Sequence, residues 1–438
     1  MFFLKAEKII FYLLIFCLPL QLRHIFYQRS SYFNEWQIVF IYATDFLILA
    51  LLFFWLLRIL NEGQVKIEKD WVEICLGFLI FVAIFSIKVA SDKFLAVFSI
   101  LKLLEFSVLF LYLRNNFLTF FKLSTFWIFF IASSFFQALL GMVQFFTQRS
   151  LGFSFLHESP LAPNLDGVAK IIISGEKFIR AYGLLPHPNI LAAILAVALF
   201  GLIWLFIENN VIFWPKQKIK ILFWLIAFLV IFSGLFFTFS RGIIIFGSLL
   251  IAFWLIWVFL ENKTRRKSIF FCFFLLGVSS LMLIICFWPF LAGRYNLSNF
   301  LNSQSLSLRS FYNQEAINLF FDKTLSGVGE GNFVTVLAQK NTNLEPWAWQ
   351  PVHNIYLLIA SEIGLLGLLA FLGFLFFTIK SVWHKKTERG ISCLFFVTIF
   401  LLVVGLFDHF LWDLQQGQLL FWMILGILSS QSLKSPRS

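Results

Sequence analysis

Apolar runs of about twenty residues recur along almost the whole chain, and this repetition limits the possible folds more than any other feature. A run of that length suits an α-helix crossing a bilayer, where every backbone N–H and C=O must be paired within the protein. Runs near 9–27, 36–57, 71–90, 94–113, 124–146, 187–207, 219–239, 242–260, 269–291, 353–379, 391–407 and 410–429 predict about twelve spans. The chain is 60% hydrophobic and only 13% charged, against about 25% charged for a soluble domain. We therefore expect an all-α polytopic membrane protein, with residues 1–438 forming a single integral membrane domain. The first run follows Lys5 and Lys8 as in a signal peptide, but no small-residue cleavage site comes after it. It reads as an uncleaved first helix.

Lysine and arginine in the short connections set the orientation. Alternate connections carry Arg58, Lys66 and Lys69; Arg114 and Lys122; Lys216, Lys218 and Lys220; Lys263, Arg265, Arg266 and Lys267; and Lys380, Lys385, Lys386 and Arg389. Lys5, Lys8, Lys434 and Arg437 fall on the same side. Both termini are thus expected in the cytoplasm, and two long loops, 148–186 and 292–352, are expected to face outward. Loops of that length are uncommon unless they carry function. Topology accounts for the net charge of +12 without nucleic acid, so the bilayer is the expected partner and nucleic acid is not. Cys17, Cys75, Cys272, Cys286 and Cys393 form no C-x-x-C pair, which indicates neither a metal site nor a disulfide framework. No P-loop, G-x-G-x-x-G or H-E-x-x-H pattern is present, and this directs attention to the outer face.

The second long loop holds most of the polar features. Leu308, Phe311, Tyr312, Glu315, Ala316 and Leu319 share one helical face in SLRSFYNQEAINLFF, with Arg309 near its start. A helix lying along the membrane surface explains that spacing without any activity. In GVGEGNF, Gly327, Gly329 and Gly331 permit a sharp turn or a close backbone approach to a ligand. Pro351 then leads to His353 and Asn354 at the first turn of a span. The positive end of a helix dipole disfavours imidazolium, so His353 is suited to act as a general base; a simple polar cap is the alternative.

Arg241, in FTFSRG, lies at the expected outer boundary between two spans. A guanidinium fork there matches phosphate oxygens, or else snorkels. Arg180 and His187 precede another span in RAYGLLPHPN, and Lys170, Lys177 and Arg180 would add positive field for an anionic head group. Lys102 and Glu105 are spaced to pair within a span. Asp45 and Glu362 are single acids in apolar runs, and Glu362 lies about 13 Å beyond His353 on a straight helix. Asp408 and Asp413 bracket an outward turn holding His409.

These stretches together (GLLPHPN opening a span, FTFSRG, an arginine-led surface helix, GVGEGNF and HNIYLLIASEIGLLGLL) resemble the O-antigen ligase/O-antigen polymerase family of bacterial membrane glycosyltransferases. The resemblance covers about residues 180–370. It implies a multi-pass protein of the cytoplasmic membrane with an outward-facing site, working without metal or other cofactor. The implied donor is an undecaprenyl-diphosphate-linked oligo- or polysaccharide. The implied acceptor is a hydroxyl on lipid A-core, on another lipid-linked glycan or, in some relatives, on protein.

By motif position, Arg241 and Arg309 look like the family's diphosphate-binding arginines and His353 like its histidine beside the acceptor. Those three are the expected catalytic residues, and Arg180, His187, Asn354, Gly329 and Gly331 the expected substrate-binding ones. Direct attack of the hydroxyl on the anomeric carbon would need no protein nucleophile. A twelve-span secondary transporter or lipid flippase is the rival reading, since such a plan is common among transporters. Transporters, however, gather their ionisable groups near the midplane.

Overall fold

The structure, a computed structural model, describes residues 2–28, 33–63, 70–208, 218–296, 300–385, 388 and 390–433. Lys66, Lys69, Lys216, Lys386, Arg389, Lys434 and Arg437, part of the expected charge bias, lie outside these residues. In chain order the elements are α1 (Phe2–Cys17), β1 (Arg23–Gln28), β2 (Ile38–Tyr42), α2 (Ala43–Glu62), α3 (Trp71–Ser86), α4 (Lys93–Phe120), α5 (Leu123–Thr147), β3 (Lys170–Ile173), β4 (Glu176–Ile179) and α6 (Pro188–Glu208). There follow α7 (Lys218–Phe237), α8 (Arg241–Glu261), α9 (Arg266–Cys286), α10 (Trp288–Tyr295), α11 (Phe300–Asp322), α12 (Phe333–Lys340), α13 (Ile355–Val382), α14 (Ile391–Val404), α15 (Phe410–Asp413) and α16 (Gln415–Ser430).

The chain is mostly helical, as the apolar runs require. Among the described residues, 8 helices are long and apolar enough to cross a membrane: Ala43–Glu62, Lys93–Phe120, Leu123–Thr147, Pro188–Glu208, Ile219–Phe237, Arg241–Glu261, Lys263–Cys286 and Ile355–Lys385. These coincide with eight of the twelve expected spans. At the other four positions α1, α3 and α16 have 16 residues each and α14 has 14. At 1.5 Å per residue they extend about 21–24 Å, short of a hydrocarbon core of about 30 Å.

Two antiparallel ribbons interrupt the all-helical plan. Strands β1 and β2 pair with Arg23 opposite Tyr42 and a bulge between Ile25 and Tyr27. They take up residues that hydropathy assigned to the ends of the first two spans. Strands β3 and β4 form a hairpin between α5 and α6, with Lys170 opposite Ile179.

Helix α6 is the central column. It is apolar all round, as a fully enclosed helix must be, and 94% of its apolar window is buried. Helices α5, α7, α8 and α14 pack around it. Its small residues allow close approach: a Cβ on Gly201 would stand 2.2 Å from the Trp127 ring. Charged groups inside the bundle are paired, as low dielectric demands. Arg58 Nε donates to Glu7 (2.7 Å) and Arg58 Nη2 to Asn116 (2.6 Å), joining α1, α2 and α4. Lys102 meets Glu105 at 3.2 Å, the expected pairing, and also Asp45 at 2.6 Å.

Helix α13 is broken at Gly364, whose φ of 72° and ψ of −172° are open to glycine. The carbonyls of Ser361 and Glu362, freed by the break, accept from Val328 N (2.9 Å) and Gly329 N (2.8 Å), while Leu365 N donates to Thr324 O (2.7 Å). The GVGEG turn therefore inserts its backbone into the helix and satisfies the groups that the break exposes.

Candidate functional site

Three spans begin at one place. α6 starts after His187, α8 starts at Arg241, and α13 starts two residues beyond His353. Their N-terminal ends bring positive partial charge to a cavity of about 600 Å³. Its lining includes Arg180, His187, Asn189, Arg241, Arg294, Arg309, Tyr312, His353, Asp408 and His409. Five of the eight expected site residues are thus together: Arg180, His187, Arg241, Arg309 and His353. The structure adds Arg294, Asn189 and His409.

Local chemistry holds the arginines in place. Helix α7 ends with Phe239 in the left-handed region, at φ 47°. The carbonyls beyond that end are taken by two guanidiniums: Arg180 Nε donates to Thr238 O (2.6 Å) and Arg294 Nε to Phe239 O (3.1 Å). Asn189 is the hub between helices. Its Oδ1 accepts from Arg180 Nη2 (3.0 Å) and Ser240 Oγ (2.9 Å), and its Nδ2 donates to Asp408 Oδ2 (2.7 Å). Arg241 lies over the Tyr295 ring at 5.9 Å. Among the described residues no carboxylate pairs with Arg180, Arg241 or Arg309, and the buried Nε of Arg309 has no hydrogen-bond partner. Arg180 is depressed well below the usual guanidinium range by burial and by the neighbouring charges of Arg294, Arg309 and Arg241. Four guanidiniums around the carboxylates of Asp408 and Glu35, the latter paired with Arg23, leave an excess of positive charge that favours an anionic ligand.

Two of the three histidines that line the cavity pack against each other. His353 and His409 stack with centroids 5.0 Å apart and ring planes 16° from parallel. Tyr312 presses edge-on against His353 (6.0 Å, 84°), its hydroxyl donating to Ala348 O at 2.5 Å. The Nδ1 atom of His353 is buried and has no partner. Burial, followed by the charges of His409 and Arg309, brings the His353 imidazole down to about 3, so it is neutral. Burial alone would raise Asp408, but His409, His353 and Arg309 hold it at about 2. His409 Nδ1 lies 2.9 Å from Asp413 Oδ1, and this carboxylate raises His409 above its ordinary value against the pull of burial.

The side-chain atoms of His353, Asp408 and His409 lie within 4.8 Å of one another, close enough for the three to reach a metal ion. Four guanidiniums line the same cavity and repel a cation. Asp408 already accepts from Asn189 and from His409 N (3.0 Å), and His409 Nδ1 is taken by Asp413. Two imidazoles and a carboxylate at this spacing are able to exchange protons.

Three expected ligand residues have other tasks. Asn354 caps α13, its Oδ1 accepting from Tyr356 N (2.9 Å) and Leu357 N (3.1 Å). Gly329 lies against Ala90, where a Cβ would approach to 2.6 Å, and Gly331 against Ser99 at 2.1 Å. The close approach that these glycines permit is to neighbouring protein segments rather than to the large cavity. Gly331 instead lines a second, smaller cavity. Of the residues missed, Asn189 and Arg294 carry no local signature, and only their hydrogen bonds to Arg180, Ser240, Asp408 and Phe239 reveal them. His409 stood in the sequence beside two acids, and that was the available signal.

No curated protein matches the chain. Residues 226–372 match the family model described as O-antigen ligase, a stretch containing Arg241, Arg294, Arg309 and His353. Through that stretch, about a third of its length, the chain is similar to the O-antigen ligase family.

Proposed function

We propose that the protein is a membrane glycosyltransferase that moves an undecaprenyl-diphosphate-linked glycan onto an acceptor hydroxyl at the outer face of the cytoplasmic membrane. The observation that carries this reading is the single cavity holding Arg180, Arg241, Arg294 and Arg309 together with a neutral His353. The guanidiniums, in the positive field of three helix N-termini, would hold the diphosphate and stabilise the charge it gains on leaving. The acceptor oxygen attacks the anomeric carbon as the carbon–oxygen bond to the diphosphate breaks. The hydroxyl proton passes to His353, and configuration at that carbon inverts. A bound diphosphate also offsets the field of Arg309, raising the imidazole's affinity for that proton when the donor is in place. No covalent enzyme intermediate is involved, and no metal takes part. The acceptor is another lipid-linked glycan or a lipid A-core hydroxyl.

The broken helix α13 favours a transporter as the second reading, because transporters bind substrate at such breaks. Here, however, the freed carbonyls are taken by Val328 and Gly329, which leaves nothing for a substrate. The deciding experiment expresses His353→Ala, Arg241→Ala and Arg309→Ala in a host lacking its own enzyme and measures glycan transfer in membranes. Loss of product from all three supports the transferase, and normal product from His353→Ala overturns it. Gradient-driven uptake by purified protein in vesicles, with no glycan product, would establish the transporter.

A further inference from the structure

Behind His409 lies a second cavity of about 110 Å³. It is walled by β2, α4, the GVGEG turn, α13, α15 and α16 and is open on one side. The titratable groups facing it are Glu35, Tyr42, Lys102, Glu330, Glu362 and Asp413. Lys102 is already held by Asp45, Glu105 and Gln415 Oε1 (3.1 Å), and Glu35 by Arg23. Glu362 Oε1 accepts from Phe333 N at 3.0 Å. Two carboxylate oxygens on its wall are buried without a partner: Oδ2 of Asp413 and Oε2 of Glu330, a residue only 5% exposed. A cavity of this size with such a lining accommodates a short file of water.

The two cavities share Glu35, Trp36 and Leu414 as a common wall. One hydrogen bond passes through that wall. His409 lines the large cavity, Asp413 lines the small one, and His409 Nδ1 to Asp413 Oδ1 measures 2.9 Å. On the front side, nitrogens of His353 and His409 and an oxygen of Asp408 lie within 4.8 Å of one another, a gap that one water spans.

A transfer reaction in the large cavity, if it proceeds as proposed above, releases one proton per turnover. A lipid-linked glycan and its acceptor fill the cavity and exclude water, and the arginine field opposes accumulation of positive charge. The proton therefore needs a second way out. We propose that the small cavity is this outlet, with the His409–Asp413 pair carrying the proton through the wall from His353 to water held by Glu330. The acceptor O–H bond breaks, its electron pair enters the new glycosidic bond, and the proton moves along the pair without any net oxidation. Burial raises the Glu330 carboxyl to about 8, so that it can both take and release a proton near neutrality. Asp413 and Glu330 act through other groups and are positioning and relay residues, not contacts of the glycan.

The test uses the full chain in membranes, with diphosphate-linked glycan extracted from the host as donor. Asp413→Asn keeps an acceptor for His409 Nδ1 but cannot carry a proton. It should lower kcat roughly 10–100-fold, as for loss of an acid–base group, with donor KM unchanged. The solvent deuterium effect on kcat should rise, and added formate, small enough for the cavity, should restore turnover. Glu330→Gln should move kcat and the isotope effect in the same direction. Wild-type kcat and isotope effect in both variants overturn the outlet. So does a loss of kcat that leaves the isotope effect unchanged and resists formate, since that is how a structural defect behaves. His353→Ala separates the two readings: if it is inactive while Asp413→Asn is normal, only the outlet falls, and if it is active, the transferase site and the outlet fall together.

Discussion

The imidazoles of His353 and His409 lie face to face, 5.0 Å between centroids and 16° from parallel. They lie 56 residues apart in the chain, one before α13 and the other before α15. Burial and neighbouring positive charge bring His353 down to about 3. An imidazole so depressed stays unprotonated as pH falls through the ordinary histidine range of about 6.5. The profile of kcat/KM, which reports the free enzyme, should therefore be flat through that range and lose activity only in more acid solution. The stability contribution has the same sign. Between about 6.5 and about 3 the unfolded chain takes up a proton that the folded chain refuses, so stability falls as pH is lowered. An inflection in kcat/KM near 6.5 that vanishes in His353→Gln would contradict this assignment.

Arg241 and Arg309 offer forks without carboxylate partners, and lysine cannot reproduce a fork. Each alanine variant should lose about 10²-fold in kcat, as when one donor to a developing anion is removed. Each lysine variant should lose about 10-fold, mostly as a raised KM for the donor. Steady-state kinetics with varied donor separates these outcomes, and equal activity of Arg309→Lys and wild type would remove the bidentate role.

Asn189 ties Arg180, Ser240 and Asp408 together with three hydrogen bonds of 2.7–3.0 Å. Asn189→Ala leaves those buried groups short of a partner, at a cost of about 1–3 kcal/mol. Asn189→Asp should be worse for transfer, because it sets a second carboxylate against Asp408. Thermal unfolding in detergent reads the first effect and glycan transfer the second. An Asn189→Asp enzyme with normal transfer would show that the hub does not position the site.

Gly364 holds φ at 72°, and a Cβ there would stand 2.3 Å from Leu325 O. Backbone strain and overpacking together should cost about 2–5 kcal/mol in Gly364→Ala. The expected result is a lowered unfolding temperature and less folded protein in membranes. Retention of wild-type stability would mean that the break at Gly364 does not need glycine.

The bundle was legible in the sequence because burial in a bilayer is a property of local composition: each apolar run states its own preference, whatever its neighbours. Lys102 with Glu105 was equally local, since helical spacing alone brings them together. Arg241 and His353 stood out because polar groups at the ends of apolar runs are costly unless used, and Arg309 because it leads an amphipathic segment in a long loop. Pairing Arg23 with Tyr42 was not legible, nor was the break at Gly364. A strand exists only with its partner, and the break exists only because residues 324–329 insert their backbone to satisfy it. The same reason explains Asn354 and Gly329, whose types suited a ligand site but whose contacts are a helix cap and the wall of a neighbouring segment. Which arginines meet, and which histidine faces which acid, depended on the packing of α6, α7, α8, α13 and α15, elements far apart in the chain. Composition and run length determined that this chain is a membrane bundle with polar groups at one boundary. Only the tertiary structure decided that four of its arginines and three of its histidines share a single cavity, because the distances between them are set by long-range packing and by no local rule.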